Sequence, residues 1–114
     1  MTPSPSRDAQ AGLVFAALAD GTRRHLLRTV VQRGPVTATA LSRDVPVTRQ
    51  AVTKHLGVLR DAGLVRAERC GRETRYEARP NGLHAASAWI DQTGAVWEAR
   101  LGRLSEQVHA GRTR

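Results

Sequence analysis

Apolar residues recur at helical spacing along most of this chain and switch to strict alternation in one short stretch. Ala9 to Ala19 is apolar-rich, with Leu13, Val14, Phe15 and Leu18 in it. Asp20 has the right side chain to cap a second helix. That helix runs to about Gln32, with Leu26, Leu27, Val30 and Val31 expected inward, and Gly34-Pro35 ends it. Thr37 or Thr39 opens a short third helix carrying Ala40 and Leu41. Pro46 closes it, because the residue before a proline resists the helical region.

The fourth helix is the most informative. Thr48 is its expected N-cap. Val52, Leu56 and Leu59 share a face, and Gly63 stands where a C′ residue with positive φ is wanted. The other face carries Arg49, Gln50, Thr53, Lys54 and Arg60, and no acidic residue occurs from Thr48 to Arg60. A short helix with one apolar face and one cationic, hydrogen-bonding face suits the major groove of DNA. An ordinary solvated amphipathic helix is the competing reading.

From residue 64 to 78 the period becomes two. Val65, Ala67 and Arg69 alternate with Arg66 and Glu68; Thr74, Tyr76 and Ala78 alternate with Arg75 and Glu77. With Cys70-Gly71-Arg72 between them, these runs predict a β-hairpin. Its tip holds Arg69, Arg72 and Arg75, suited to lie along phosphates or in a minor groove. Residues 66–79 contain five Arg against three Glu, so the hairpin is only mildly basic. A solvated hairpin whose charges merely resist edge pairing would look similar.

A last helix is expected from about Ala85 to Val108. Ile90, Gly94, Trp97, Leu101, Leu104 and Val108 form a near-heptad seam, and Trp89 and Trp97 are the chain's only tryptophans. So much apolar surface on so small a domain predicts burial against a second copy, with Leu13 and Phe15 of the first helix contributing. Packing on its own domain is the alternative.

Composition changes this picture in degree. The chain has 114 residues, a length that fits one domain, and a formal charge of +8. Such a chain attracts polyanions. Yet Lys54 is its only lysine among 18 cationic residues. That bias can reflect the base composition of the coding DNA, so placement of charge matters more than its sum. One cysteine, Cys70, precludes an intramolecular disulfide and any multi-Cys metal site within one chain. No stretch approaches the roughly 20 apolar residues of a membrane span, and the first ten residues lack the apolar core of a secretory signal. The expected organisation is a flexible arm at 1–8, one domain at 9–109 and a flexible tail at 110–114. The expected location is the cytoplasm, at the nucleoid.

Three stretches carry a family resemblance. Phe15 to Leu27, FAALADGTRRHLL, is similar to an opening of the form ALADPTRRxIL. Val47 to Val65 and Gly71 to Pro80 match a recognition helix and a wing. In order and distance, over roughly residues 9–108, these resemble the ArsR/SmtB family of bacterial winged-helix repressors. The resemblance implies a mainly helical fold with a β-hairpin wing, in the order α-α-α-α-β-β-α, dimerising through its first and last helices. It implies a homodimer bound to a two-fold symmetric double-stranded operator in its own or a neighbouring operon. Arg49, Gln50, Thr53 and Lys54 fall at its DNA-facing positions. Thr48 is then a phosphate contact or cap, and His55 a packing or phosphate-contacting residue. Arg49 and Gln50 are the expected base readers, since Arg pairs with guanine and Gln with adenine. Gly21 departs from the family's proline at the first helical position.

Many members of the family sense metals. The arsenic-type Cys-x-Cys pair is absent from this sequence. A zinc-type site along the last helix would have only Asp91 and His109, 18 residues and thus about 27 Å apart on one helix. His25 and His84 are isolated. The chain therefore resembles the metal-independent branch, with no cofactor expected and no effector indicated. Cys70 could act as a redox handle or be a chance residue. No paired carboxylates, supported Ser-His-Asp set or glycine-rich phosphate loop suggests an enzyme. The serious rival to a regulator is a winged-helix module for DNA packaging or protein contact.

Overall fold

The computed structural model describes residues 6–112. Five helices and three strands run in the order α1 (Arg7–Leu18), α2 (Gly21–Arg33), β1 (Val36–Thr37), α3 (Ala38–Ser42), α4 (Arg49–Asp61), β2 (Val65–Cys70), β3 (Glu73–Ala78) and α5 (Pro80–Arg112). Helix already starts at Arg7, within the expected arm at 1–8, where Ser6 accepts a bond from the Ala9 N–H. Residues 1–5 of that arm, and 113–114 of the expected tail, lie outside the described residues. Helix α5 reaches Arg112, into the tail expected from residue 110.

Side-chain caps set the helix starts. Asp20 accepts from the Arg23 N–H, Thr37 from the Ala40 N–H and Thr48 from the Ala51 N–H. Each satisfies one donor that the first helical turn leaves open. Helix α4 ends in a Schellman motif: Leu64 N–H bonds the Leu59 carbonyl and Gly63 N–H the Arg60 carbonyl, with Gly63 at φ 75°. The chain then turns straight into β2. Gly63 also accepts a bond from the Gly82 N–H, and a Cβ at Gly82 would stand 2.5 Å from the Ala62 carbonyl oxygen. Helix α5 can start there only because residue 82 has no side chain.

The sheet is antiparallel in the order β1-β3-β2, with Ala67 opposite Tyr76 and Val36 opposite Tyr76 on its other side. Strand β1 is an addition to the expected order. The hairpin turns through Gly71 at φ 63°. The core lies under α4: Val52, Leu56 and Leu59 are fully buried against Val14, Leu26, Val30, Leu41, Leu64 and Tyr76. Val31, expected inward, is 56% exposed. It neighbours Val30 around the helix, and the shallow buried stripe of α2 has room for Leu26, Leu27 and Val30 only. Helix α5 starts five residues before the expected Ala85. Among the described residues, only its first turns, at Gly82, Ala85 and Ala86, are buried, against the rest of the domain.

Candidate nucleic-acid interface

Helix α4 presents its polar face beside the hairpin, and the two enclose an open groove of about 600 Å³. Thr39, Arg43, Arg49 and Thr53 line one side, and Arg72, Glu73 and Thr74 the wing side. The Thr53 hydroxyl donates to the Arg49 carbonyl at 3.0 Å, which leaves its lone pairs facing outward. Gln50 and Lys54 are exposed on the adjoining strip of α4. The three buried residues of α4 occupy the opposite face, so core packing holds this polar face in place.

The other candidate residues sit elsewhere. Arg60 is exposed three turns beyond Arg49, with Asp61 3.5 Å away. Arg69 donates to the Gly71 carbonyl at 3.2 Å, and Arg75 lies 3.5 Å from Glu73. None of the three lines the groove. On the outer face of the hairpin, Arg66 is bonded to Glu77 and lies 3.6 Å from Glu68. The wing's cations are thus largely matched at home, except Arg72.

His55 is half-buried on the flank of α4 that meets α2, with Nδ1 3.4 Å from the Arg23 guanidinium. Arginine is always a donor, so this ring nitrogen accepts. Arg23 also donates to the carbonyls of Ala17 at 2.7 Å and Ala16 at 3.3 Å, at the end of α1. One guanidinium therefore ties three helices together. The Arg23 N–H bonded to Asp20 holds that carboxyl below its usual value, and the positive charge of the Arg23 guanidinium acts in the same direction. Neither Arg23 nor Arg43 was expected from the sequence to matter. The two adjacent arginines at an N-terminus were a readable sign for Arg23: cations there find the carbonyl end of the preceding helix. For Arg43 no local signal exists, since only the tertiary fold brings it to the wing.

The expected dimer residues are exposed to different degrees on α1 and α5. Phe15 and Trp89 meet edge-on, centroids 5.4 Å apart and planes at 72°. Leu13 is 43% exposed and Trp97 65%, and Ile90, Leu101, Leu104 and Val108 are each about half exposed. Cys70 is exposed. Among the described residues, no three His, Cys, Asp or Glu side chains gather as a metal site would need, and no helix is long and apolar enough to cross a membrane.

Comparison with known proteins agrees with this geometry. A family model described as a helix-turn-helix domain matches residues 18–68, from the end of α1 into β2. The HTH-type transcriptional regulator Rv2034 of Mycobacterium tuberculosis is 42% identical over 78 residues, 68% of this chain and 72% of its own. The structure of an ArsR-like transcriptional regulator from Rhodococcus sp. RHA1 superposes with a TM-score of 0.77 at 38% identity, covering 86% of this chain and 92% of that one. This chain belongs to the ArsR family. It is a winged helix-turn-helix, DNA-binding transcriptional regulator, with α3 and α4 as the helix-turn-helix and β2–β3 as the wing. A winged helix-turn-helix domain from Mycobacterium bovis, described as homodimeric, shares the fold of this ArsR-family regulator with a TM-score of 0.59 at 24% identity, over 100% of this chain and 94% of that one.

Proposed function

We propose that this regulator is a homodimeric repressor that binds a two-fold symmetric operator in its own or a neighbouring operon, in the cytoplasm. The observation that carries the proposal is the uncovered apolar surface of α1 and α5 on the same small domain as a free polar recognition face. Monomers rarely leave so much contiguous apolar area in water. A second copy related by a two-fold axis covers a self-complementary stripe such as Ile90, Trp97, Leu101 and Leu104. The homodimeric fold relative from Mycobacterium bovis supports this arrangement. Two recognition helices related by that axis call for two half-sites about one helical turn apart. A dimer seated there covers promoter DNA and excludes polymerase by occupancy.

Arg49 and Gln50 are the proposed base readers, at the exposed start of α4. The test is fluorescence-anisotropy titration of the DNA upstream of the gene against scrambled DNA, at about 150 mM salt. A preference of about a thousandfold or more marks a sequence-specific regulator. Equal affinity for both marks a packaging protein and overturns the proposal. Sedimentation velocity of the free protein checks the dimer: a monomer at micromolar concentration overturns that part.

A further inference from the structure

Histidine is the side chain whose charge changes between about pH 5 and 8. His25 and His84 are exposed, whereas His55 is half-buried, and it stands on the recognition helix. Its Nδ1 accepts from the Arg23 guanidinium at 3.4 Å. In that contact the ring is neutral and carries its one proton on Nε2. The same guanidinium donates to the Ala17 and Ala16 carbonyls at the end of α1. Arg23 therefore joins the helix that bears Phe15 to the helix that bears Arg49.

Few other charges face the ring. From α2 come Arg23 itself and Asp20, whose carboxylate accepts the Arg23 N–H. That bond holds Asp20 below the usual range, so it stays ionised wherever a histidine titrates. Arg24 is turned to the Leu18 carbonyl. The charges of α1, Arg7 and Asp8, stand at its far end. Helix α3 has none from Ala38 to Ser42, and Arg43 beyond it faces the groove. On β2, Arg66 and Glu68 are engaged on the outer face of the hairpin and Arg69 on Gly71. On α4 itself the adjacent Lys54 is exposed.

A second proton on His55 turns Nδ1 from acceptor into donor and sets a positive ring against a guanidinium. A hydrogen bond becomes a like-charge repulsion. We propose that Arg23 is a positioning residue for the recognition helix, acting through neutral His55, and that protonation of His55 releases α4 and lowers the preference for the operator. The inference rests on the reading of the protein as a dimer on a two-fold operator. Such a dimer must meet two half-sites at once, so its specificity depends on where each α4 stands relative to the dimer helices. Binding to any other duplex depends on charge. Acidification alone strengthens the hold on every duplex, because histidines gain charge. A preference that falls with pH therefore has a different origin.

The experiment measures binding to the upstream fragment and to a scrambled duplex at about pH 7.5 and about pH 5.5, at constant ionic strength. In the wild type the preference for the upstream fragment should shrink about five- to tenfold on acidification. His55→Asn sets an amide oxygen near the Nδ1 position, which accepts from Arg23 and does not titrate; its preference should be the same at both pH values. His25→Asn should behave as the wild type. Arg23→Gln leaves no guanidinium for a charged ring to meet and should also lose the dependence. If circular dichroism shows Arg23→Gln unfolded, His55→Asn decides. A wild-type preference that holds or grows on acidification, or one that shrinks equally in His55→Asn, overturns the proposal. Equal wild-type affinity for both duplexes at pH 7.5 overturns the repressor proposal instead. The Arg23 contact is then decided by NMR of the free protein: the Arg23 Nε–H signal should move with the titration of the His55 ring, and a signal that ignores the ring overturns the contact.

Discussion

Helices α4 and α5 are built on opposite principles. In α4, 13 residues have three fully buried side chains, a hydroxyl cap, a glycine stop and a polar outer face; the protomer supplies everything it needs. In α5, a helix of 33 residues, burial among the described residues is confined to the first turns, and a run of large apolar side chains continues beyond the domain that starts it. The contrast teaches that sequence amphipathicity has two meanings here. One apolar face is satisfied within the chain and fixes the geometry of a binding surface. The other is left open and asks for a partner.

Breaking α4's side of the contrast should have the largest effect. Leu56 is fully buried at the centre of the core. Leu56→Ala should cost about 2–5 kcal/mol of stability, and with it roughly 10 °C or more of Tm, read by far-UV circular dichroism. A loss under about 1 kcal/mol would mean that α4 is not anchored as described. Trp97→Ala strikes the open side. It should weaken self-association about 30-fold or more by sedimentation equilibrium, while the helical signal at low temperature persists. If association is unaffected, the seam is not the contact.

Gln50→Ala sharpens the contrast within α4 itself. It should cost about 1–3 kcal/mol on the upstream fragment and almost nothing on scrambled DNA. Equal losses on both would assign Gln50 to the backbone. The smallest effect concerns Asp20, whose folded carboxyl is held below its usual value of 3.8. Folded, it binds fewer protons than unfolded, so its contribution is present at neutral pH and lost as pH falls through the carboxylate range. Asp20→Asn keeps a capping side chain but cannot titrate. Urea midpoints followed from about pH 6 to pH 3 should fall less steeply in the variant; parallel curves would remove Asp20 from the account.

Strong local chemistry was readable in advance. The α4 pattern, Thr48 cap and Gly63 stop agree with the structure, as do the hairpin about Gly71 and the cap at Asp20. Each is decided by side chains within a few residues. Strand β1 escaped because two residues carry no period, and its existence depends on Tyr76 and Arg75 forty residues on. The start of α5 was missed for a different reason. Asn81-Gly82 suggests a turn, yet Pro80 is well placed at a first helical position, and Gly82 is needed for close approach to Ala62. Likewise Ser6, three residues before Ala9, was a legible cap hidden in a Pro- and Ser-rich arm. The groove was only half legible. Arg49, Thr53 and Arg72 are exposed by their own elements, whereas the home partners of Arg60, Arg69 and Arg75 and the convergence of Arg43 belong to the tertiary fold.

The Arg23 guanidinium has a mechanical consequence. Two of its bonds grip the last carbonyls of α1, and the third contact is to His55 on α4. A tilt of α1 by an ångström must stretch those bonds or carry α4 with it. The helix that bears Leu13 and Phe15 and the helix that bears Arg49 and Gln50 therefore behave as one linkage.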